Sequence, residues 1–99
     1  MLHIVNKSPL GSDGLDAALR VAQAGGALLL IEDAVYAATR GNAAEARLRE
    51  AAGRLKLYAL APDLEARGVA DRLTDGVTAV DYAGFVDLVV EHPNNQSWL

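Results

Sequence analysis

The 99-residue chain contains no cysteine. That absence excludes disulfides, a thiolate zinc site and any cysteine nucleophile. No basic stripe is present either: nine Lys and Arg residues are scattered among thirteen acids, giving a formal charge of -4 and a pI near 4.9. This balance argues against direct gripping of a phosphate backbone. The opening Met1-Leu2-His3-Ile4-Val5-Asn6-Lys7 lacks the apolar core of a signal peptide, and no apolar run approaches membrane-spanning length. A cytoplasmic address without membrane contact is the expectation. GxGxxG, Walker and GxSxG sequences are missing, and Ser8 to Gly14 only loosely approximates a phosphate loop.

What the chain has in quantity is small apolar residues. Hydrophobic residues make up 52%, but nineteen of them are alanines, which bury little area each. One domain spanning 1–99 fits the length, and its thin core predicts an oligomer.

The longest apolar run, Ala27-Leu28-Leu29-Leu30-Ile31, has no polar residue for a solvated face. It reads as a strand buried on both sides at the centre of a parallel sheet. Leu2 to Val5, Lys56 to Leu60 and Val77 to Val80 supply further strands, and Gln96 to Leu99 is a short terminal strand or an extended tail. Between them lie helical patterns. Asp13 is placed to cap a helix carrying Leu15, Ala18, Leu19 and Ala22, which Gly25-Gly26 ends. A short helix is expected from Asp33 to Thr39, with Asp33 able to cap Val35 or Tyr36. Asn42 and Glu45 resemble a capping box ahead of Ala44, Leu48, Ala51 and Leu55, with Glu45–Arg49 and Glu50–Arg54 as i,i+4 pairs. A turn of helix follows Pro62, and Asp81 opens a last helix whose inner face is expected to be Tyr82, Phe85, Val86 and Val89. The alternation predicts an α/β fold: an open, mainly parallel sheet of about five strands with helices on both faces, flavodoxin-like in class. Its crossovers should be right-handed.

Glu32 and Asp33 stand at the carboxyl end of the central strand, where open α/β sheets usually place their ligands. Paired carboxylates there could work as acid and base or hold a hard cation. The bland alternative is helix capping, and it gains from recurrence, because Asp63 and Asp81 also fall where helices begin. Glu32 is the acid that capping explains least. A phosphoacceptor pattern is absent, since Asn6-Lys7-Ser8 rather than an acidic pair follows the first strand. His3 and His92 each lack a neighbouring ligand at diagnostic spacing; His3 should pack within its strand, and His92 should end the last helix near its negative terminus. Trp98 either seals the core edge or anchors a partner.

Several short stretches, taken together, resemble the TusB/DsrH family. They are Met1-Leu2-His3 with Lys7-Ser8-Pro9, Leu28-Leu29-Leu30 with Asp33 and Ala37-Ala38, Tyr58-Ala59-Leu60 with Asp63-Leu64 and Ala66-Arg67-Gly68, and Val80-Asp81-Tyr82 through Phe85-Val86, Leu88 and His92-Pro93 to Gln96-Ser97-Trp98-Leu99. The resemblance implies a DsrE-like fold and a small subunit of a cytoplasmic sulfur relay, a heterohexamer with two copies each of three homologous subunits. In the TusBCD branch persulfide sulfur passes toward 2-thiolation of wobble uridine in tRNA; in the DsrEFH branch it serves sulfur oxidation. The sulfur-carrying cysteine belongs chiefly to the TusD/DsrE subunit. Some DsrH-type relatives have a cysteine in the first helix, where this chain has Arg20.

Without a thiolate the chain cannot itself carry sulfane sulfur. The resemblance therefore implies a non-catalytic structural or regulatory subunit with no cofactor, no metal and no catalytic residue. Its partners would be TusC- and TusD-like subunits and a downstream sulfur-acceptor protein, not nucleic acid directly. Glu32, Asp33, Tyr36, Trp98 and Leu99 are the candidate interface residues. A separate reading is a stand-alone homo-oligomeric module that binds a small anion at helix amino termini near Asn6-Lys7-Ser8 and Asp33.

Overall fold

A computed structural model describes residues 1–98. Five parallel strands form one sheet: β1 (Leu2–Val5), β2 (Ala27–Leu30), β3 (Lys56–Leu60), β4 (Val77–Val80) and β5 (Asn95–Trp98), in the spatial order β4-β3-β2-β1-β5. The long apolar run occupies the middle place, and every residue of β2 is buried. Four α-helices accompany the sheet: α1 (Gly14–Val21), α2 (Glu45–Ala51), α3 (Ala61–Ala66) and α4 (Tyr82–Glu91). Short 3-10 segments cover Glu32–Ala38 and Ala70–Arg72.

Strand alternation divides the core in two. Val5, Leu28, Leu30, Leu57 and Ala59 point to one face, where they pack with Leu15 and Ala18 of α1, Leu48 and Ala51 of α2, and Leu64 of α3. Leu2, Ile4, Ala27 and Leu29 point to the other, where α4 alone supplies Leu88 and Phe85. The asymmetry follows from the strand order. Three successive crossovers step the same way across the sheet, so a single crossover hand puts their helices on one face, and the return from β4 to β5 puts α4 on the other.

The acids at the helix starts behave differently from one another. Asp81 is extended (φ -85°, ψ -174°), and its Oδ1 accepts a hydrogen bond from Gly84 N at 2.8 Å, a side-chain cap as expected. Asp13 does not cap α1. Its backbone (φ -97°, ψ 13°) lies outside the extended region that aims a capping side chain, and Ser12 Oγ accepts from Gly14 N at 3.1 Å instead. Asp33 caps neither Val35 nor Tyr36, because its carboxylate is engaged by Arg67. Asp63 lies inside α3, which Ala61 opens, and its side chain serves another loop.

Around α2 the capping box is shifted by one residue. Asn42 Oδ1 accepts from Ala44 N at 2.6 Å, while Glu45 Oε1 reaches the amide of Gly41 at 3.1 Å rather than that of Asn42. Glu45 and Arg49 pair at 3.7 Å. Arg54 does not pair with Glu50; it donates to the carbonyls of Ala22 and Leu19 at 2.8 and 3.0 Å, satisfying acceptors left open at the end of α1.

The face of α4 is the largest correction. Leu88 is its buried residue, with Phe85 and Gly84 partly covered, whereas Tyr82 and Val86 are 62% and 59% exposed and Val89 is also exposed. Seven of its ten residues are apolar, so the helical wheel offers more than one possible inner face. The sheet selects the side carrying Leu88.

Candidate functional site at the carboxyl edge of the sheet

The loops leaving the three middle strands meet at the carboxyl edge. Asn6 follows β1, Glu32 and Asp33 follow β2, and Asp63 follows β3 on the first turn of α3. Glu32 has φ 50°, the one positive value at a non-glycine position among the described residues. A left-handed backbone costs a residue with a Cβ about 1 kcal/mol or more, and it persists only where surrounding contacts fix it. Those contacts are present. Glu32 N donates to Asp63 Oδ2 at 2.7 Å, its carboxylate accepts from Asn6 Nδ2 at 3.4 Å, and Ala34 N donates to the Asn6 carbonyl at 3.2 Å.

Arg67, at the end of α3, closes the cluster. Its Nε and Nη2 both lie 2.9 Å from Asp33 Oδ1, and its Nη1 stands 3.4 Å from the Asp63 carbonyl and 3.7 Å from Asp63 Oδ1. Three carboxylates thus share one guanidinium, the side-chain amide of Asn6 and the backbone N–H of Glu32. Each carboxylate is occupied by a structural partner, which favours a braced ledge over an acid/base pair. Among the described residues no group of three or more His, Asp or Glu side chains is arranged to hold a metal ion.

Tyr36 projects from the Glu32–Ala38 segment and is exposed. It lines a cleft of about 100 Å³ with Ser8, Pro9, Leu10, Asn42 and Arg47, so the loop after β1 and the loop after β2 share one surface. Leu10, at 91% exposed, stands beside it. Leu10 had no periodic signal to single it out. Arg67 had none either, since its partner is 34 residues away. The amides that an anion would need near Ser8 are partly used: Ser8 Oγ accepts from Leu10 N at 3.2 Å, as Ser12 Oγ does from Gly14 N.

Trp98 lies at the same edge, two strands from Leu30 across the register Leu30–Val5–Trp98. It is partly buried against the larger core cluster. Its indole N–H donates to His3 Nδ1 at 3.2 Å, and the two rings stack with centroids 6.2 Å apart. The bond requires a neutral imidazole with Nδ1 as acceptor. Burial, reinforced by the nearby amino terminus, holds His3 below its ordinary pKa and favours that form. The structure therefore joins Trp98 to His3, and it joins Glu32 to Asp33 through Asp63 and Arg67; Leu99 lies outside the described residues.

Comparison with known proteins agrees with this architecture. The family described as DsrH like protein matches residues 7–95. Protein TusB of Pectobacterium parmentieri is 43% identical over 98 residues, covering 99% of this chain and 100% of that protein. Protein TusB of Escherichia coli K12 is 41% identical over the same span. Among solved structures, the ychN protein from E. coli has a TM-score of 0.84 at 21% identity, covering 97% of both chains. A protein of unknown function from Methanobacterium thermoautotrophicum has a TM-score of 0.70 at 18% identity, covering 97% of this chain and 95% of its own. At these identities the two structures speak for the fold.

Proposed function

The chain belongs to the DsrH-like family, with full-length relatives named TusB, and from that premise we propose that it is a non-catalytic subunit of a TusBCD-like sulfur relay. In this role it holds a cysteine-bearing subunit in register while persulfide sulfur moves toward 2-thiolation of tRNA wobble uridine. The observation that carries the reading is the full-length identity to TusB proteins in a chain with no cysteine. Sulfane sulfur travels on thiolates, so the carrier must be another subunit.

The assembly proposed is a heterohexamer with TusC- and TusD-like subunits in the cytoplasm, the chain contributing one domain over residues 1–99. The ledge of Glu32 and Asp33 with Tyr36 beside it, and the terminal Trp98 and Leu99, are proposed as contact positions for those subunits or for the downstream acceptor. Support comes from their chemistry: a braced backbone with exposed acid and aromatic groups is pre-organised for contact and holds no nucleophile of its own. An anion-binding module is less well supported, because the edge is rich in carboxylates and its arginines Arg67 and Arg47 are already paired with acids.

Co-expression with TusC- and TusD-like partners followed by size-exclusion chromatography tests the proposal. A stoichiometric ternary complex is expected. Persistent elution of the chain as a separate homo-oligomer overturns it.

A further inference from the structure

Parallel sheets are almost always covered on both faces. Here one face carries three helices and the other carries α4 alone. Five strands set roughly 4.8 Å apart span about 19 Å between the outermost axes, whereas one helix with its side chains is about 10 Å across. Tyr58 accordingly remains only partly buried on that face, and Lys56 and Thr78 stay exposed.

The outward side of α4 is itself apolar. Tyr82, Val86 and Val90 recur at i, i+4 and i+8 and form one ridge, and Val90 is 76% exposed. Asp87 and Glu91, also i and i+4, run along one flank of this ridge, and Asp81 precedes it. No Lys or Arg occurs in α4. A helix that is apolar nearly all round belongs in an interior, yet the folded chain covers one side of it.

We propose that the outer ridge of α4 is a docking surface for a different protein chain, one that presents apolar side chains flanked by Lys or Arg. The inference rests on the subunit reading above and assigns the partner contact to a place on the fold. Charge decides the occupant. Pairing α4 with a second copy of itself brings Asp87 and Glu91 toward their own counterparts with no base on either helix, in a chain that is already at -4. A partner bearing basic residues turns the same acids into attraction. Lys56, the base on this sheet face, belongs to the uncovered strip and not to the ridge.

The test uses the full chain co-expressed with the two partner subunits, comparing the unchanged sequence with Val86→Asp and with Asp87→Lys/Glu91→Lys. All these positions are exposed, so thermal unfolding of the isolated variants should match that of the parent. The expected result is a weakening of the complex by about tenfold or more for Val86→Asp. The double charge reversal should weaken it several-fold and flatten its salt dependence. If the parent forms the complex and both variants form it equally well, the docking assignment is overturned while the subunit reading stands. Loss with Val86→Asp but no effect of charge reversal overturns the basic partner. A homodimer of the isolated chain in sedimentation that Val86→Asp abolishes assigns the ridge to a second copy and overturns the proposal. Failure of the parent itself to assemble overturns the subunit reading and this inference with it.

Discussion

Glu32 is held in the left-handed region by hydrogen bonds that begin on other loops, with Asp63 Oδ2 on its amide and Asn6 Nδ2 on its carboxylate. Backbone strain of this kind has its own signature in mutants. Glu32→Gly should change stability by less than about 0.5 kcal/mol, since relief of the strain offsets glycine's greater freedom in the unfolded chain. Glu32→Val should cost about 1–2 kcal/mol, because a β-branched side chain tolerates positive φ poorly. Urea denaturation distinguishes the two; equal losses would show that the side-chain contact matters and the backbone does not. Asp33, exposed beside Arg67, should matter less, and its replacement by Ala should cost below about 1 kcal/mol. Near the amino terminus, His3 makes stability depend on pH. Its folded-state pKa is below the ordinary value of 6.5, so the folded chain binds fewer protons than the unfolded chain between the two values. The contribution is complete above pH 6.5 and is lost as pH falls through that value toward the folded one. His3→Leu should flatten this part of the stability profile. Trp98→Phe should lower stability by about 1 kcal/mol, the value of a hydrogen bond, at pH values where His3 is neutral, and should make the slope shallower, because the bond exists only with the neutral imidazole. Glu45 adds a dependence further down. The Thr74 hydroxyl, then the Gly41 amide, hold its carboxyl below the usual carboxylate range, so its contribution is present above that range and lost on acidification through it.

Among the elements, α4 shows how far a local pattern reaches. Its start is decided locally: Asp81 is followed by free amides, and an extended backbone aims its carboxylate at Gly84. Asp81→Ala should therefore cost about 1 kcal/mol. The rotation of the helix is a different matter, because Tyr82, Val86 and Val89 are as apolar as Phe85 and Leu88. Leu88→Ala should cost about 2–4 kcal/mol through the cavity it leaves, whereas Val86→Ala in the isolated chain should stay within about 0.5 kcal/mol. If the two losses proved equal in chemical denaturation, the observed inner face would be wrong. Helix α2 shows the same division. Its apolar face Ala44, Leu48, Ala51 and Leu55 is buried as the spacing predicts, while Arg54 leaves its i,i+4 neighbour for carbonyls of α1 that are distant in sequence.

At the scale of the whole molecule the controlling feature is the unequal cover of the sheet. Alanine-rich helices fill one side densely, and the other side ends in an apolar ridge that suits a subunit better than a free-standing chain. The chemistry of a subunit without a thiol gives a direct check. Incubation of the isolated chain with a persulfide donor should add no sulfur mass by intact-mass spectrometry, and a stable adduct would contradict the non-carrier role.

The first four strands were legible in the sequence because they are short, mainly apolar runs bounded by turn residues, and the run at Ala27 to Leu30 could be placed at the sheet centre because it has no residue fit for water. The lack of cysteine also decided, without any coordinates, that sulfur could not be held covalently as a persulfide here. Tertiary structure decided what local spacing leaves degenerate. It turned α4 onto Leu88, returned the terminal segment to β1 as an edge strand, and brought Asp63 to Glu32 and Arg67 to Asp33 across 31 and 34 residues. Apolar periodicity specifies that a face will be buried; which face, and which distant polar groups meet at the ends of the strands, is set only when the sheet has assembled.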